Sequence, residues 1–372
     1  MTVRVEKPAF NLRDKLSKLE LPVGVHGSQL LKSETPQDTF NLVSAGRKNM
    51  IINGDMRVSQ RYSSAQTIQP TGNRYFVDRW LSRNDTGATV EQSQSSNSPD
   101  GHYRSLRLQC TSTNTNLTGA QYLRIQQRIE GYNLFLDWGM GSNKDFVTIS
   151  FWVKSSVTGI YSVCIEDSDA NPININEYRI NRPNVWEWKS VTIPPPLSGS
   201  WAGQGSNLGL RVTFTLATAD QYKTTLNQLN KWDSSGDYDM ASPNQVNFVK
   251  QTGDFYLTGV QLERGKVATP FEYMFFADQV RLCQRYYWKL DNGANEAGAQ
   301  WLYNISSNNS YRRVTVNHPV PMRGSPSVTN ISLTHSGQQS GVQFNGTHTT
   351  TIWINNVTGI SELIYAEFDV EL

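Results

Sequence analysis

Five histidines, His26, His102, His318, His335 and His348, are the first residues in this 372-residue chain that could hold a metal or move a proton. None forms an HExxH motif, and none pairs with a cysteine at zinc spacing. The acidic stretches from Asp167 to Asp169 and from Asp233 to Asp239 lack the regular ligand spacing of a calcium hand. Cys110, Cys164 and Cys283 stand far apart without a CxxC pair, and two of them sit in apolar strand patterns, so they read as buried thiols of a protein made in a reducing cytoplasm. Nucleotide chemistry would need a Gly-rich cradle. Gly203, Gly205 and Gly209 miss the dinucleotide spacing, and there is neither a Walker sequence nor a GxSxG elbow. Glycoside hydrolysis needs two carboxylates placed by the fold, and nothing in the spacing singles out a pair among Glu91, Glu130, Glu166 and Asp167. The expectation is a protein without catalytic residues, metal or cofactor.

Aromatic residues carry the remaining chemistry. Tyr75, Phe76, Trp80, Trp138, Trp152, Trp186, Trp188 and Trp201 cluster in the middle of the chain. Trp152 alternates out of phase with Phe151 and Val153, which places it on the opposite face of its strand. Sugar rings present apolar CH faces that stack on exposed aromatics, while Asn, Gln, Asp and Arg bind the hydroxyls. Trp152, Trp186, Trp188 and Trp201 are therefore candidate glycan contacts. The competing reading has these residues covering a second hydrophobic layer or an intersubunit contact.

Such residues must be positioned by strands. Leu106, Leu108 and Cys110 alternate with Arg107 and Gln109, and Val147, Ile149, Phe151 and Val153 share one phase. Leu208, Leu210, Val212, Phe214 and Leu216 repeat the pattern most cleanly. Polar breaks such as SSNSPDG, DSDANPIN and DSSGDYD separate these runs, which predicts an antiparallel jelly-roll-like β-sandwich over residues 49–278 with one wet face per sheet. A long polar loop from Asp220 to Gln251 interrupts it, with a short helix expected near Tyr222 to Asn230. A helical turn opening at about Ala277 and a strand through RYYW then lead into a smaller C-terminal β domain, 279–372, whose last alternating run reaches Leu372.

Residues 1–48 differ. Leu12, Leu16 and Leu19 form one apolar stripe ended by Pro22, and a second helix, capped by Thr35 with Pro36 at its first position, carries Phe40 and Val43 before Gly46. Two short helices bury too little surface to fold alone, so this segment is expected to anchor on a partner through those five apolar residues.

Composition limits the partner classes. With 34 Lys and Arg against 32 Asp and Glu, the net charge of +2 creates no global field toward nucleic acid or an anionic membrane. No window approaches the length of a membrane span.

The stretch NMIINGDMRVSQR at 49–61 followed by YFVDRW at 75–80, then GDFYLTGVQLERGKVATPFEY at 253–273 and CQRYYWK at 283–289, resembles the sandwich domain of tail-fibre and virion proteins of tailed phages, including cyanobacterial phages. KPAFNLRDKLSKLE and LLKSETPQDTFNLVSAGRKN look like the opening segment of the same proteins. This resemblance implies an all-β chain with a sandwich similar to carbohydrate-binding modules, commonly trimeric, located in the virion and docked through residues 1–48 to other virion proteins. Its middle strands match only in pattern. Within the motif, Gly253 and Gly259 suit tight turns, Leu257 and Leu262 suit the core, Pro270 is expected to end the last strand, and Phe271 to plug the sandwich edge. Glycan attachment is the favoured role; a capsid-decorating or tail-joining protein without host contact, and a polysaccharide depolymerase, are the alternatives.

Overall fold

A computed structural model of the chain describes residues 25–32, 39, 47–68, 74–134, 136, 145–167, 172–196, 205–233, 240–291, 300–302, 312–333, 339–355 and 361–372. The chain divides into two compact units, Met1–Lys48 and Asn49–Leu372. In the first, the described helix α1, Val25–Leu31, falls between the two stretches expected to be helical. Leu12, Leu16, Leu19, Phe40 and Val43 lie outside the described residues, as does Trp201.

The second unit is all-β, and alternation explains its layers. One sheet has six strands in the order β1 (Gln66–Thr67), β4 (Thr89–Ser95), β5 (Ser105–Ser112), β13 (Gly253–Arg264), β7 (Val147–Ser155) and β10 (Glu187–Ile193). The other has seven, in the order β12 (Trp232–Asp233), β9 (Ile173–Ile180), β8 (Gly159–Glu166), β11 (Leu208–Thr218), β6 (Tyr122–Glu130), β3 (Trp80–Asn84) and β2 (Arg74–Tyr75). All strand pairs are antiparallel. The in-phase residues read from the sequence, Leu106, Leu108, Val147, Ile149, Phe151, Val153, Leu210, Val212, Phe214 and Leu216, meet in one core with Leu257 and Leu262. Each such large apolar side chain contributes roughly 1.5–3 kcal/mol by leaving water. Phe151 packs edge-on against Phe214 at 4.9 Å and Tyr178 at 5.0 Å, the geometry that aromatic quadrupoles favour.

The NMIINGDMR segment knots the sandwich together. Asn49 Oδ1 accepts the Ile51 and Leu262 N–H groups, and its Nδ2 donates to the Val260 carbonyl. Asn53 Nδ2 donates to the carbonyls of Val58 and Asp78, while the Trp80 indole donates to the Asn53 carbonyl. Gly54 could carry no side chain, because a Cβ there would stand 2.1 Å from the Val260 carbonyl oxygen.

Two local expectations need correction. The short helix expected near Tyr222 to Asn230 is a single 3-10 turn, Leu226–Gln228, with another at Asp220–Tyr222. The last sandwich strand ends at Arg264, followed by Gly265 at φ +116°, six residues before Pro270. Phe271, half-buried, packs on His102 and Tyr273.

Helix α2, Phe276–Gln284, leads into the smaller C-terminal region. There β20 (Ser361–Asp369) pairs with β14 (Tyr287–Asp291), β15 (Gln300–Leu302) and β17 (Ser327–Leu333). A three-stranded sheet of β16 (Arg312–Asn317), β19 (Thr349–Asn355) and β18 (Gln339–Asn345) completes it. Trp288, Val314, Val316, Met322, Ile352, Ala366 and Phe368 form its core, with Trp288 stacked on Phe368 at 4.5 Å. Among the described residues, no helix is long and apolar enough to cross a membrane.

Candidate functional site

The two sheets differ in what covers their outer faces. On the seven-stranded sheet, the loop after β11 folds back over β8 and β11. The Met240 carbonyl accepts hydrogen bonds from Thr215 Oγ1 at 2.6 Å and Cys164 Sγ at 3.0 Å, and the Ser242 N–H donates to Ser162 Oγ at 2.9 Å. The other half of that face is taken by residues near Leu372, where Arg79 pairs with Glu371 and Arg128 donates to the Leu372 carbonyl. On the six-stranded sheet, the segment after β13 covers one half: Glu263 accepts the Thr269 N–H and hydroxyl, and Thr148 Oγ1 donates to the Gly265 carbonyl. The remaining half is partly open: Trp152, Lys154 and Arg107 are half-buried there, whereas Tyr256 and Thr258 are buried, Thr258 Oγ1 donating to the Arg104 carbonyl of the β4–β5 loop.

Register brings the site together on that open half. Trp152 of β7 is paired with Trp188 of β10 and with Thr258 of β13. Two residues along, about 7 Å away on a strand, the next rung aligns Arg107 of β5, Tyr256 of β13 and Lys154 of β7. Side chains two apart on a strand share a face, so both rungs point outward while Phe151, Val153, Phe255 and Leu257 fill the core. Trp188 is 47% exposed. Trp186, on the turn before β10, adds a ring 6.0 Å from Tyr256.

Polar groups interleave with these rings. Asn97, on the β4–β5 loop, accepts both the Trp186 indole N–H at 3.2 Å and the Lys154 ammonium at 3.1 Å on its Oδ1. Lys154 Nζ lies 5.1 Å from the Tyr256 ring centroid and 5.8 Å from that of Trp186. Arg107 pairs with Asp254 Oδ1 at 2.8 Å, and the Tyr256 hydroxyl donates to Asp254 Oδ2 at 3.2 Å. Burial, and then the Asp254 carboxylate, push the Tyr256 hydroxyl above its ordinary pKa, so it remains a donor.

Glu187 holds the turn that carries Trp186. Its carboxylate accepts the N–H groups of Asn181 and Arg182 at 2.9 and 2.8 Å, Asn181 Nδ2 at 2.9 Å and Lys189 Nζ at 2.7 Å. Burial opposes its charge, but these hydrogen bonds, Lys189 foremost, outweigh burial and hold the carboxyl down at about 2.

Of the four tryptophans expected to contact glycan, Trp152, Trp186 and Trp188 come together on this face. Spacing did not single out Lys154, Tyr256, Arg107 or Asn97. Three of them carried a signal: Arg107 is out of phase with Leu106 and Leu108, Lys154 is in phase with Trp152, and Tyr256 is out of phase with Phe255 and Leu257. The carboxylates considered for hydrolysis do not assemble here. Glu130 is buried against Arg285 and Tyr286, and Glu166 pairs with Arg211. Among the described residues, no group of three or more His, Cys, Asp or Glu is arranged to hold a metal.

The fold and this face together define an antiparallel β-sandwich with one open, aromatic and hydrogen-bonding sheet surface. No family model matches the chain, and no curated protein matches it. Among solved structures, a putative sugar binding protein from Bacteroides thetaiotaomicron aligns with 59% of this chain and 100% of its own, at 13% identity and a TM-score of 0.33. A family 61 carbohydrate-binding module in complex with β-1,4-galactotriose aligns with 59% of this chain and 100% of its own, at 11% identity and a TM-score of 0.30. The enzymatically active domain of tailspike protein 4 of bacteriophage CBA120 aligns with 58% of this chain, at 12% identity and a TM-score of 0.30. The match spans only 21% of that tailspike chain. Likeness at this level bears on neither ligand nor activity.

Proposed function

We propose that this chain is a non-enzymatic structural appendage of a phage particle that holds host-surface glycan on the open face of its six-stranded sheet. The observation that carries the binding role is the pair of adjacent rungs on the outer side of the six-stranded sheet, Trp152 with Trp188 and Tyr256 with Lys154, where Trp188 is 47% exposed and Trp152 and Lys154 are half-buried. Rings supply stacking surface for sugar CH groups, and Asn97, Arg107, Asp254 and Tyr256 supply hydrogen-bonding groups at their edge. Both nearby carboxylates, Asp254 and Glu187, are engaged by cations and N–H donors, which favours binding over a depolymerase. The virion setting rests on the resemblance at both ends of the sandwich and in residues 1–48, and a separate N-terminal unit suits docking to other virion proteins. A homotrimer would present several weak sites at once and raise their effective concentration.

The test is glycan binding by the wild type and by Trp188→Ala. Trp188 is half-exposed, so its loss should leave stability within about 0.5 kcal/mol, while affinity for glycan should fall at least about tenfold, or about 1.4 kcal/mol. Undiminished binding in Trp188→Ala would move the site off this face. Absence of binding, together with burial of Trp152 and Trp188 against a neighbouring subunit in the particle, would instead establish the capsid-decorating or tail-joining role.

A further inference from the structure

Charge on the open face is not balanced residue by residue, and the imbalance points to the kind of sugar it takes. Arg107 is matched by Asp254. Lys154, in the same rung across Tyr256 from Arg107, makes no ion pair among the described residues; its ammonium meets Asn97 Oδ1 and the faces of Tyr256 and Trp186. An ammonium carries three N–H donors, and the protein contact to Asn97 uses one. Two aromatic faces and an amide oxygen restrict a side chain that is otherwise among the most mobile, so little further order is needed when an anion arrives.

We infer that the face recognises an acidic polysaccharide, with a sugar ring stacked on Trp152 and Trp188 and its carboxylate received by Lys154. This inference rests on the glycan-binding reading above. The rung of tryptophans and the rung of Lys154 are two residues apart on β7, about 7 Å. A carboxylate one bond off a stacked ring reaches that distance together with a charge-assisted hydrogen bond of about 2.8 Å. A neutral glycan could use the rings and offer hydroxyls to Lys154 but would bring the ammonium no counter-charge. Carboxylate and sulfate ester share the chemistry that Lys154 would read, and the carboxylate is favoured because it projects directly from the ring.

Binding is measured for polygalacturonate, alginate, hyaluronan and chondroitin sulfate, each beside its carboxyl-reduced polymer, and for desulfated chondroitin. The wild type should bind at least one acidic polymer about tenfold more tightly than its carboxyl-reduced form, with the preference shrinking as NaCl is raised. Lys154→Met should bind the two forms alike, and Trp188→Ala should lose both. If the preference tracks desulfation and not carboxyl reduction, the anion is a sulfate and the carboxylate assignment falls. Equal wild-type affinity for acidic and reduced polymers, still lost in Trp188→Ala, overturns the charge inference and leaves the glycan site standing. No binding to any polymer overturns both.

Discussion

At the residue scale, the side chains that matter divide by whether alternation alone could reveal them. Trp152 was legible, because its strand reads unambiguously and the residue is out of phase with Phe151 and Val153. Alternation faces Tyr256 and Lys154 the same way, but that they are neighbours could not be read, since they meet only when β13 and β7, far apart in sequence, are set in register. Glu187 was hidden for another reason: its role is to collect hydrogen bonds from a turn, and a carboxylate between two tryptophans looks the same in sequence whether it does so or points into water. Its pKa makes the role measurable. A carboxyl held at about 2, below its ordinary 4.5, adds stability that is fully present above 4.5 and is lost as the pH falls through 2. Fluorescence of the Trp186 and Trp188 pair should therefore stay constant through pH 4.5 and change with a midpoint near 2, and Glu187→Gln should abolish that transition. A midpoint in the ordinary carboxylate range would show that the turn is not organised by Glu187.

At the scale of elements, strand periodicity was readable where one face is buried, and ambiguous where polar and apolar residues crowd both faces. The close of β13 shows why. Pro270 signals an end to pairing, yet the strand stops at Arg264, where Gly265 at φ +116° turns the chain back over the sheet. Earlier in the same strand, register shifts between Thr258 and Gln261, and Gly259 sits there at φ +61°. This bulge also brings the strand against the binding face, because a Cβ on Gly259 would stand 2.7 Å from His102 Cε1 and 3.1 Å from Trp152 Cδ1. Gly259→Ala is thus doubly penalised, by a backbone conformation that L side chains resist, costing about 1–3 kcal/mol, and by displacement of Trp152. It should lower the unfolding midpoint in urea without changing the slope, and also weaken glycan binding, whereas a purely local strain would leave binding intact. Measuring both on one sample separates the two effects.

At the scale of the whole molecule, the two β regions of the 49–372 unit are joined by contacts that no local pattern could announce. Glu130, on β6 of the sandwich and fully buried, accepts Arg285 Nε at 2.9 Å and the Tyr286 hydroxyl at 2.6 Å, with partners 155 and 156 residues away in sequence. Burial drives the Tyr286 hydroxyl up to about 12, with Glu130 adding to the effect, so the phenol donates across the ordinary pH range. Arg79, likewise buried, stacks 3.5 Å above the Tyr286 ring and pairs with Glu371, while Arg61 bonds Asp369 at 3.1 Å. A buried ion pair adds little net stability when intact, but removing one partner strands the other, at about 3–5 kcal/mol for a fully buried ion and less for Arg285, whose side chain is 28% exposed. Here the stranded charge would lie between the sandwich and the C-terminal strands, so its cost falls on their union and not on either core. Calorimetry of the wild type should show residues 49–372 unfolding in a single cooperative transition. Glu130→Ala should split it, with the C-terminal region melting first because its core of Trp288, Phe368 and their neighbours is the smaller. If Glu130→Ala instead lowers one undivided transition, the two regions share more than this network and the C-terminal strands are an extension of the sandwich core.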